Sequence, residues 1–297
     1  MSVHDRPAVS VVGAGIMGSA IATRLLASGH DVTVFDLDPV KVAAVVAKGG
    51  KAAQSAAEAA RASRFVITSL NSAAIVRAAV FGAGGIAEGA DAAGLLIDMS
   101  SIDPVSTRLF AGDLASSTGM RWVDAPLSGG APGALAGRLT VMAGGAPEDV
   151  QRARAVMDSL CANYTHMGPS GAGQTTKLVN QILCAIGFQA VAEAVRLAEA
   201  GGVDAIRLAE ALKGGRADSS ILQEFGPKMA RRDYSPTGRI DNMMKDLEAV
   251  QAFSGGERLP LPLTGLITEL HRSFLAAGLG PADTAAIMRQ FSGFREQ

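Results

Sequence analysis

The sequence predicts an α/β protein in two parts: an N-terminal doubly wound parallel sheet and a C-terminal all-α domain, joined by one long interdomain helix. Three observations carry this. The first half repeats a short β-branched or aliphatic run, a Gly/Ser/Asn/Asp turn and an Ala-rich stretch with helical spacing, the alternation that builds parallel sheets. After about Gly168 that alternation stops. From Gly173 to Ala200 apolar residues then recur at helical spacing with no Pro and with Gly187 as the internal glycine, enough for a helix roughly 42 Å long at about 1.5 Å per residue.

Element by element, Ala8–Val12, Asp31–Phe35, Phe65–Leu70, Leu95–Asp98, Trp122–Asp124 and Arg138–Ala143 read as strands, each a short apolar run bounded by turn residues. Met17–Ser28, Pro39–Lys48, Ser55–Ala62, Ser72–Val80 and Pro104–Thr118 read as the helices between them. The crossover rule makes these connections right-handed and puts a ligand site at the carboxyl ends of the strands. In the second half Ala205–Lys213, Ile221–Arg231, Asp241–Phe253 and Leu263–Ala277 read as helices, separated by breaks such as Gly214-Gly215 and Leu259-Pro260-Leu261-Pro262. The predicted domains are therefore residues 1–168 and 169–297.

Composition narrows the function. A chain of 297 residues, 48% hydrophobic and 19% charged, is ordinary globular material, and a net charge of −1 gives no positive field for nucleic acid or an anionic membrane. A small-molecule partner is expected instead. The apolar run Val9 to Ala27 follows Asp5 and is broken by Gly13, Gly15 and Gly18, unlike a signal peptide, and no stretch reaches about 18 uninterrupted apolar residues. The two cysteines, Cys161 and Cys184, sit in apolar, helix-like stretches without metal-ligand spacing, which argues against a disulfide framework or a metal site. A soluble, cytoplasmic protein is the expectation.

Val11-Val12-Gly13-Ala14-Gly15-Ile16-Met17-Gly18 is a GxGxxG turn between a strand and a helix. Gly13 allows the tight turn, Gly15 lets a pyrophosphate reach the backbone at the helix N-terminus, and Gly18 lets helix and strand pack closely. Asp36 lies 18 residues beyond Gly18 at the end of the next strand, where a Rossmann site places the carboxylate that binds a ribose 2′-hydroxyl. With Leu37 and Asp38 next rather than an Arg, NAD is preferred over NADP, though NADP stays open. The alternative role for Asp36 is to cap the helix that starts at Pro39.

Four ordered motifs, spread over about 235 residues, extend this reading: the glycine turn, Asp124-Ala125-Pro126-Leu127-Ser128-Gly129-Gly130, Gly171-Ala172-Gly173-Gln174-Thr175-Thr176-Lys177-Leu178-Val179-Asn180-Gln181, and Lys245-Asp246-Leu247. In these the chain resembles the β-hydroxyacid dehydrogenase family over nearly its whole length. The resemblance implies NAD(P)-dependent oxidation of a small hydroxy acid, with Lys177 as the catalytic acid/base and Ser128, Gly129, Gly130, Asn180 and Gln181 at the substrate. It also implies cofactor contacts from Ile16, Met17, Leu70, Asn71, Ser101 and Lys245, in addition to Gly13, Gly15, Gly18 and Asp36. Lys177 and Asn180 are spaced i, i+3 on the long helix with Gln181 at i+4, so they can share a face, and a lysine desolvated there would have a lowered pKa. Taken alone, Lys177 could be a solvated charge, Ser128-Gly129-Gly130 a flexible turn and Lys245-Asp246 a surface pair. His166 and His271 are isolated and read as structural or surface residues.

Some positions depart from the family pattern. Gly238 stands seven residues before Lys245 where relatives commonly carry Phe, so an aromatic wall is missing or supplied by Phe225 or Tyr234. Ser101 replaces a Thr and keeps the hydroxyl; Leu127 replaces a Val and stays apolar. Segments such as Leu212–Ser220 and Leu259–Thr264 look most like the tartronate semialdehyde (2-hydroxy-3-oxopropionate) reductase branch. The order of expected substrates is tartronate semialdehyde/glycerate, then L-threonate, then 3-hydroxyisobutyrate. A cofactor-binding module without catalysis is the distant alternative, and apolar helical faces in the second half predict a homodimer or homotetramer.

Overall fold

The strands β1 (Val9–Val12) and β2 (Val32–Phe35) are joined through helix α1 (Ile16–Ala27), and α2 (Pro39–Val46) leads on to the short edge strand β3 (Lys51–Ala52). This structure, a computed structural model, describes residues 6–293, so Asp5 and the outermost ends of both predicted domains lie outside it. The chain continues through α3 (Ala56–Ala62), β4 (Phe65–Thr68), α4 (Ala73–Phe81), α5 (Ile86–Gly89), β5 (Leu95–Asp98), α6 (Pro104–Thr118) and β6 (Arg121–Asp124). Then come β7 (Leu127–Ser128), α7 (Gly130–Leu135), β8 (Leu139–Gly144), α8 (Pro147–Met157), β9 (Cys161–Gly168) and the long helix α9 (Ala172–Ala200).

Among the described residues these strands form one nine-stranded sheet in the order β3-β2-β1-β4-β5-β6-β8-β7, with β9 paired to β8. From β3 to β6 every pairing is parallel. Beyond β6 the sheet becomes mixed: β8 runs antiparallel to β6 and β7, and β9 runs parallel to β8. Cys161 therefore opens a strand and not a helical stretch; of that strand Tyr164 is the buried residue, so it carries no apolar run to announce it.

The apolar strand runs are continuous because both faces of the sheet are covered. Val9, Val11, Val34, Ile67, Ile97 and Val123 join Ile21 and Leu25 of α1 in one core. Val12, Val66 and Leu96 point the other way and pack with Val76, Val80, Phe110 and Leu114 from α4 and α6. The sheet order reverses at β1, which has β2 on one side and β4 on the other, and a doubly wound sheet opens its ligand crevice at the carboxyl ends of such strands.

The chain divides into two compact units, Met1–Lys177 and Leu178–Gln297. The second holds the rest of α9 with α10 (Leu208–Leu212), α11 (Ser220–Arg231), α12 (Ile240–Gly256) and α13 (Pro262–Ala276), plus two 3₁₀ segments, Ala205–Arg207 and Thr284–Ser292. By length and composition α9 could cross a membrane, yet Ala185, Phe188, Val191, Ala192 and Val195 are buried in the second unit's core beside Phe225, Leu247 and Phe274. It serves this protein as a core helix.

Candidate active site

The three glycines after β1 do three different jobs. Gly13 has φ +98° and a Cβ there would lie 2.5 Å from the Ser69 carbonyl, while a Cβ on Gly18 would lie 1.8 Å from the Gly13 carbonyl. Gly15 meets nothing within 4 Å. Two glycines are thus required by packing and the third faces open space. Helix α1 also starts without a side-chain cap, whereas Asp38, Ser55, Ser72 and Asp103 cap α2, α3, α4 and α6. Its first N–H groups remain available to an anion, the arrangement that binds a pyrophosphate.

Asp36 closes the turn from the side. Its carboxylate accepts the Ala14 N–H at 2.7 Å and the Asp38 N–H at 2.9 Å, and the Lys41 ammonium lies 3.9 Å away. Asp38, not Asp36, caps α2 by accepting the Val40 N–H at 3.0 Å. The residues present therefore fit an adenosine ribose and a pyrophosphate: an open glycine, an uncapped helix and a carboxylate at the end of β2. Ile16 and Asn71 are exposed, and Met17 and Leu70 are half-buried around this turn.

Next along the sheet edge, Thr68, Asp98 and Asp124 occupy matched positions on β4, β5 and β6. All three are fully buried. Asp98 accepts the Thr68 hydroxyl at 2.8 Å and the Ser100 N–H at 3.1 Å, while its other oxygen has no hydrogen-bond partner among the described residues. Burial pushes its pKa up to about 6 against those hydrogen bonds, and the neighbouring Asp124 charge adds to the rise. Asp124 is also raised by burial, opposed by backbone N–H groups at the start of α9: it accepts from Gly171 at 2.8 Å and Gln174 at 3.0 Å. Glycine at Gly144 makes room for it, since a Cβ there would lie 2.6 Å from both carboxylate oxygens.

Ser100 links this row to the cofactor side, its hydroxyl accepting the Leu70 N–H at 3.0 Å. Ser128 ends β7, and Gly129 (φ +117°) and Gly130 (φ +61°) form the left-handed turn into α7. That start has no side-chain cap either, so this turn too leaves backbone N–H groups available. Lys177 ends the first unit on α9, in the second turn of that helix.

The second unit carries its own polar cluster. The Gln181 amide donates a short hydrogen bond to the Asp246 carboxylate and accepts from Asn180 Nδ2 at 2.7 Å, and Lys245 Nζ lies 3.5 Å from Asp246. Phe225 is no aromatic wall: it is buried in the core, edge-on to Phe188 at 4.6 Å. Tyr234 is half-buried beneath the Arg289 guanidinium. Gly238 is held by its backbone, donating to Asp283 at 3.2 Å and accepting from the Thr284 N–H at 2.8 Å. His271 is buried with Nδ1 on the Ile267 carbonyl, and His166 sits between the Gly145 and Gly168 carbonyls.

Such a sheet edge, with its glycine turn and the carboxylate beside it, defines a dinucleotide-binding protein. Residues 8–168 match the family described as the NAD binding domain of 6-phosphogluconate dehydrogenase, and residues 171–291 the NAD-binding domain of NADP-dependent 3-hydroxyisobutyrate dehydrogenase. The chain belongs to the β-hydroxyacid dehydrogenase family and is an NAD(P)-dependent oxidoreductase. It is 33% identical to the 2-hydroxy-3-oxopropionate reductase of Escherichia coli, covering 94% of each chain. It is also 33% identical to the NAD-dependent L-serine dehydrogenase of Pseudomonas aeruginosa, covering 95% of this chain and 97% of that one. Among solved structures, a Mycobacterium tuberculosis 3-hydroxyisobutyrate dehydrogenase with L-serine superimposes with a TM-score of 0.87 at 29% identity, covering 96% of this chain and 99% of that one.

Proposed function

We propose that the protein interconverts a small β-hydroxy acid and its aldehyde or keto acid, with tartronate semialdehyde/glycerate as the first substrate pair and L-threonate and 3-hydroxyisobutyrate next. The observation that carries this reading is Lys177 on a helix whose start is fixed to the carboxyl edge of a dinucleotide-type sheet. The nicotinamide, when bound, supplies or accepts the hydride at the substrate carbon. Lys177 handles the matching proton: as a neutral amine it takes the proton of the β-hydroxyl during oxidation, and as an ammonium it returns a proton to the carbonyl oxygen during reduction. Ser128, Gly129 and Gly130 offer N–H and hydroxyl groups to the substrate carboxylate, and Asn180 and Gln181 add amide groups from the same helix as Lys177.

Gly13, Gly15, Ile16, Met17, Gly18, Leu70, Asn71 and Ser101 hold the dinucleotide, with Asp36 favouring NAD and Lys245 completing the contacts. The choice of glycerate rests on the likeness of whole segments in the second half, and a relative of similar identity bears the 2-hydroxy-3-oxopropionate reductase name. A cytoplasmic setting fits a chain of 297 residues with two cysteines. The deciding experiment pairs NAD+ or NADP+ with D-glycerate, L-threonate, 3-hydroxyisobutyrate and L-serine and follows reduced nicotinamide by absorbance. One acid should turn over, and Lys177→Ala should lower kcat by about a hundredfold or more while leaving NAD(H) binding intact. Turnover that survives in Lys177→Ala would overturn the assignment.

A further inference from the structure

Resting on the reading above, we propose that Gln174 is a positioning residue that locks the Ser101 turn to the helix carrying Lys177. Gln174 is 1% exposed on the first turn of α9, three residues before Lys177. Its amide pairs with the two backbone groups that flank Ser101: Nε2 donates to the Ser100 carbonyl at 2.8 Å, and Oε1 accepts the Ile102 N–H at 3.3 Å. A donor and an acceptor held side by side are what an amide offers and what an ionised carboxylate or a thioether lacks. The amide orientation is fixed by its partners, a carbonyl on one side and an N–H on the other.

Both sides of this clamp are anchored to the sheet. On the helix side the Gln174 N–H is held by Asp124 at 3.0 Å, with Gly171 on the second oxygen at 2.8 Å. On the turn side the Ser100 N–H rests on Asp98 at 3.1 Å, and the Ser100 hydroxyl accepts from Leu70 at 3.0 Å. The Ser101 hydroxyl takes no part in these bonds. Held rigidly at both neighbours and half-exposed itself, Ser101 presents a hydroxyl whose place is set relative to the first turns of α9, and hence to Lys177. A misplacement of about 1 Å in the site costs on the order of a hundredfold in rate, so a clamp of this kind acts chiefly on kcat and, through Ser101 as one of several dinucleotide contacts, only weakly on cofactor affinity.

Hydrogen exchange and kinetics on the full chain test this together. Gln174→Met keeps the volume and removes both hydrogen bonds. In the cofactor-free variant the Ile102 amide should exchange about tenfold faster or more, with Val9–Val12 unchanged. With the acid that the wild type turns over, kcat per NAD(H)-binding molecule should fall about ten- to a hundredfold, and the KM for cofactor should stay within about threefold. Unchanged Ile102 exchange, or faster exchange with kcat within about twofold of wild type, overturns the proposal. In the wild type the Ile102 and Gln174 amides should open together, with protection factors within about threefold, and independent opening by more than about tenfold overturns it even if the variant does not fold. A wild type without turnover on any acid would sink the functional reading instead, leaving the exchange results to decide the clamp.

Discussion

Asp36 spends its two carboxylate oxygens on the Ala14 and Asp38 N–H groups and still faces the ground where a ribose would lie. Removing the charge should weaken NAD more than NADP: in Asp36→Ser the KM for NAD is expected to rise about tenfold or more, the size of one charge-assisted hydrogen bond, while that for NADP rises less. A KM ratio unchanged between the two cofactors would sink that role. Asp98 gives a prediction about stability. Its folded-state pKa of about 6 lies above the ordinary 3.8, so the folded protein holds this proton more tightly than the unfolded chain. That contribution is complete below the unfolded value and is lost as pH rises through about 6, on the order of 3 kcal/mol. Urea titrations should therefore show the wild type losing that much relative to Asp98→Asn between pH 4 and pH 7; parallel pH slopes would refute it. The glycines and Asp36 were legible in the sequence because their demands are local, a turn and its neighbour. Asp98 and Gln174 were not, because their partners lie 30 and 72 to 74 residues away and burial alone gives those bonds meaning.

At the scale of elements, α6 and β5 run over the residues their sequences predict, Pro104–Thr118 and Leu95–Asp98, because Asp103-Pro104 caps the one and a four-residue apolar run defines the other. β3 and β7, two residues each, and β9, most of whose side chains face solvent, leave no apolar run in the sequence that would announce a strand. Helix α8 lies outside the helices predicted from the sequence, although Pro147 at its start, two acids in its first turn and Val150, Ala153, Val156 and Met157 on one face supply the usual signals. The glycine turn separates fold from function within one element. Gly18→Ala should destabilise by about 3 kcal/mol or more, because the new Cβ meets backbone. Gly15→Ala should leave Tm within a few degrees, since its Cβ meets nothing, and should weaken NAD(H) binding about tenfold as it intrudes on the anion's approach. Equal losses of stability in the two variants would contradict this division of labour.

For the whole molecule, α/β followed by all-α was readable from the change in periodicity near Gly168. The mixed far edge of the sheet was not, since strand direction leaves no mark in a short apolar run. The outward face of α9 shows Val179, Leu183 and Leu197 at 51, 66 and 75% exposure, an apolar stripe that a single copy leaves in water. Light scattering at micromolar concentration should give two or four times the 30.2 kDa chain mass; the mass of a single chain would refute the oligomer.

The cap on α9 also has a bearing on the order in which the protein folds. Asp124 waits 47 and 50 residues for the N–H groups it holds, and Gly144, which gives it room, lies on the strand paired beside it. Local helices can form early, but this bond closes a long loop and needs both β6 and β8 already in the sheet. A chain stalled before the sheet edge is complete would thus carry Lys177 on a helix with no anchor, and chemical competence would arrive among the last events of folding.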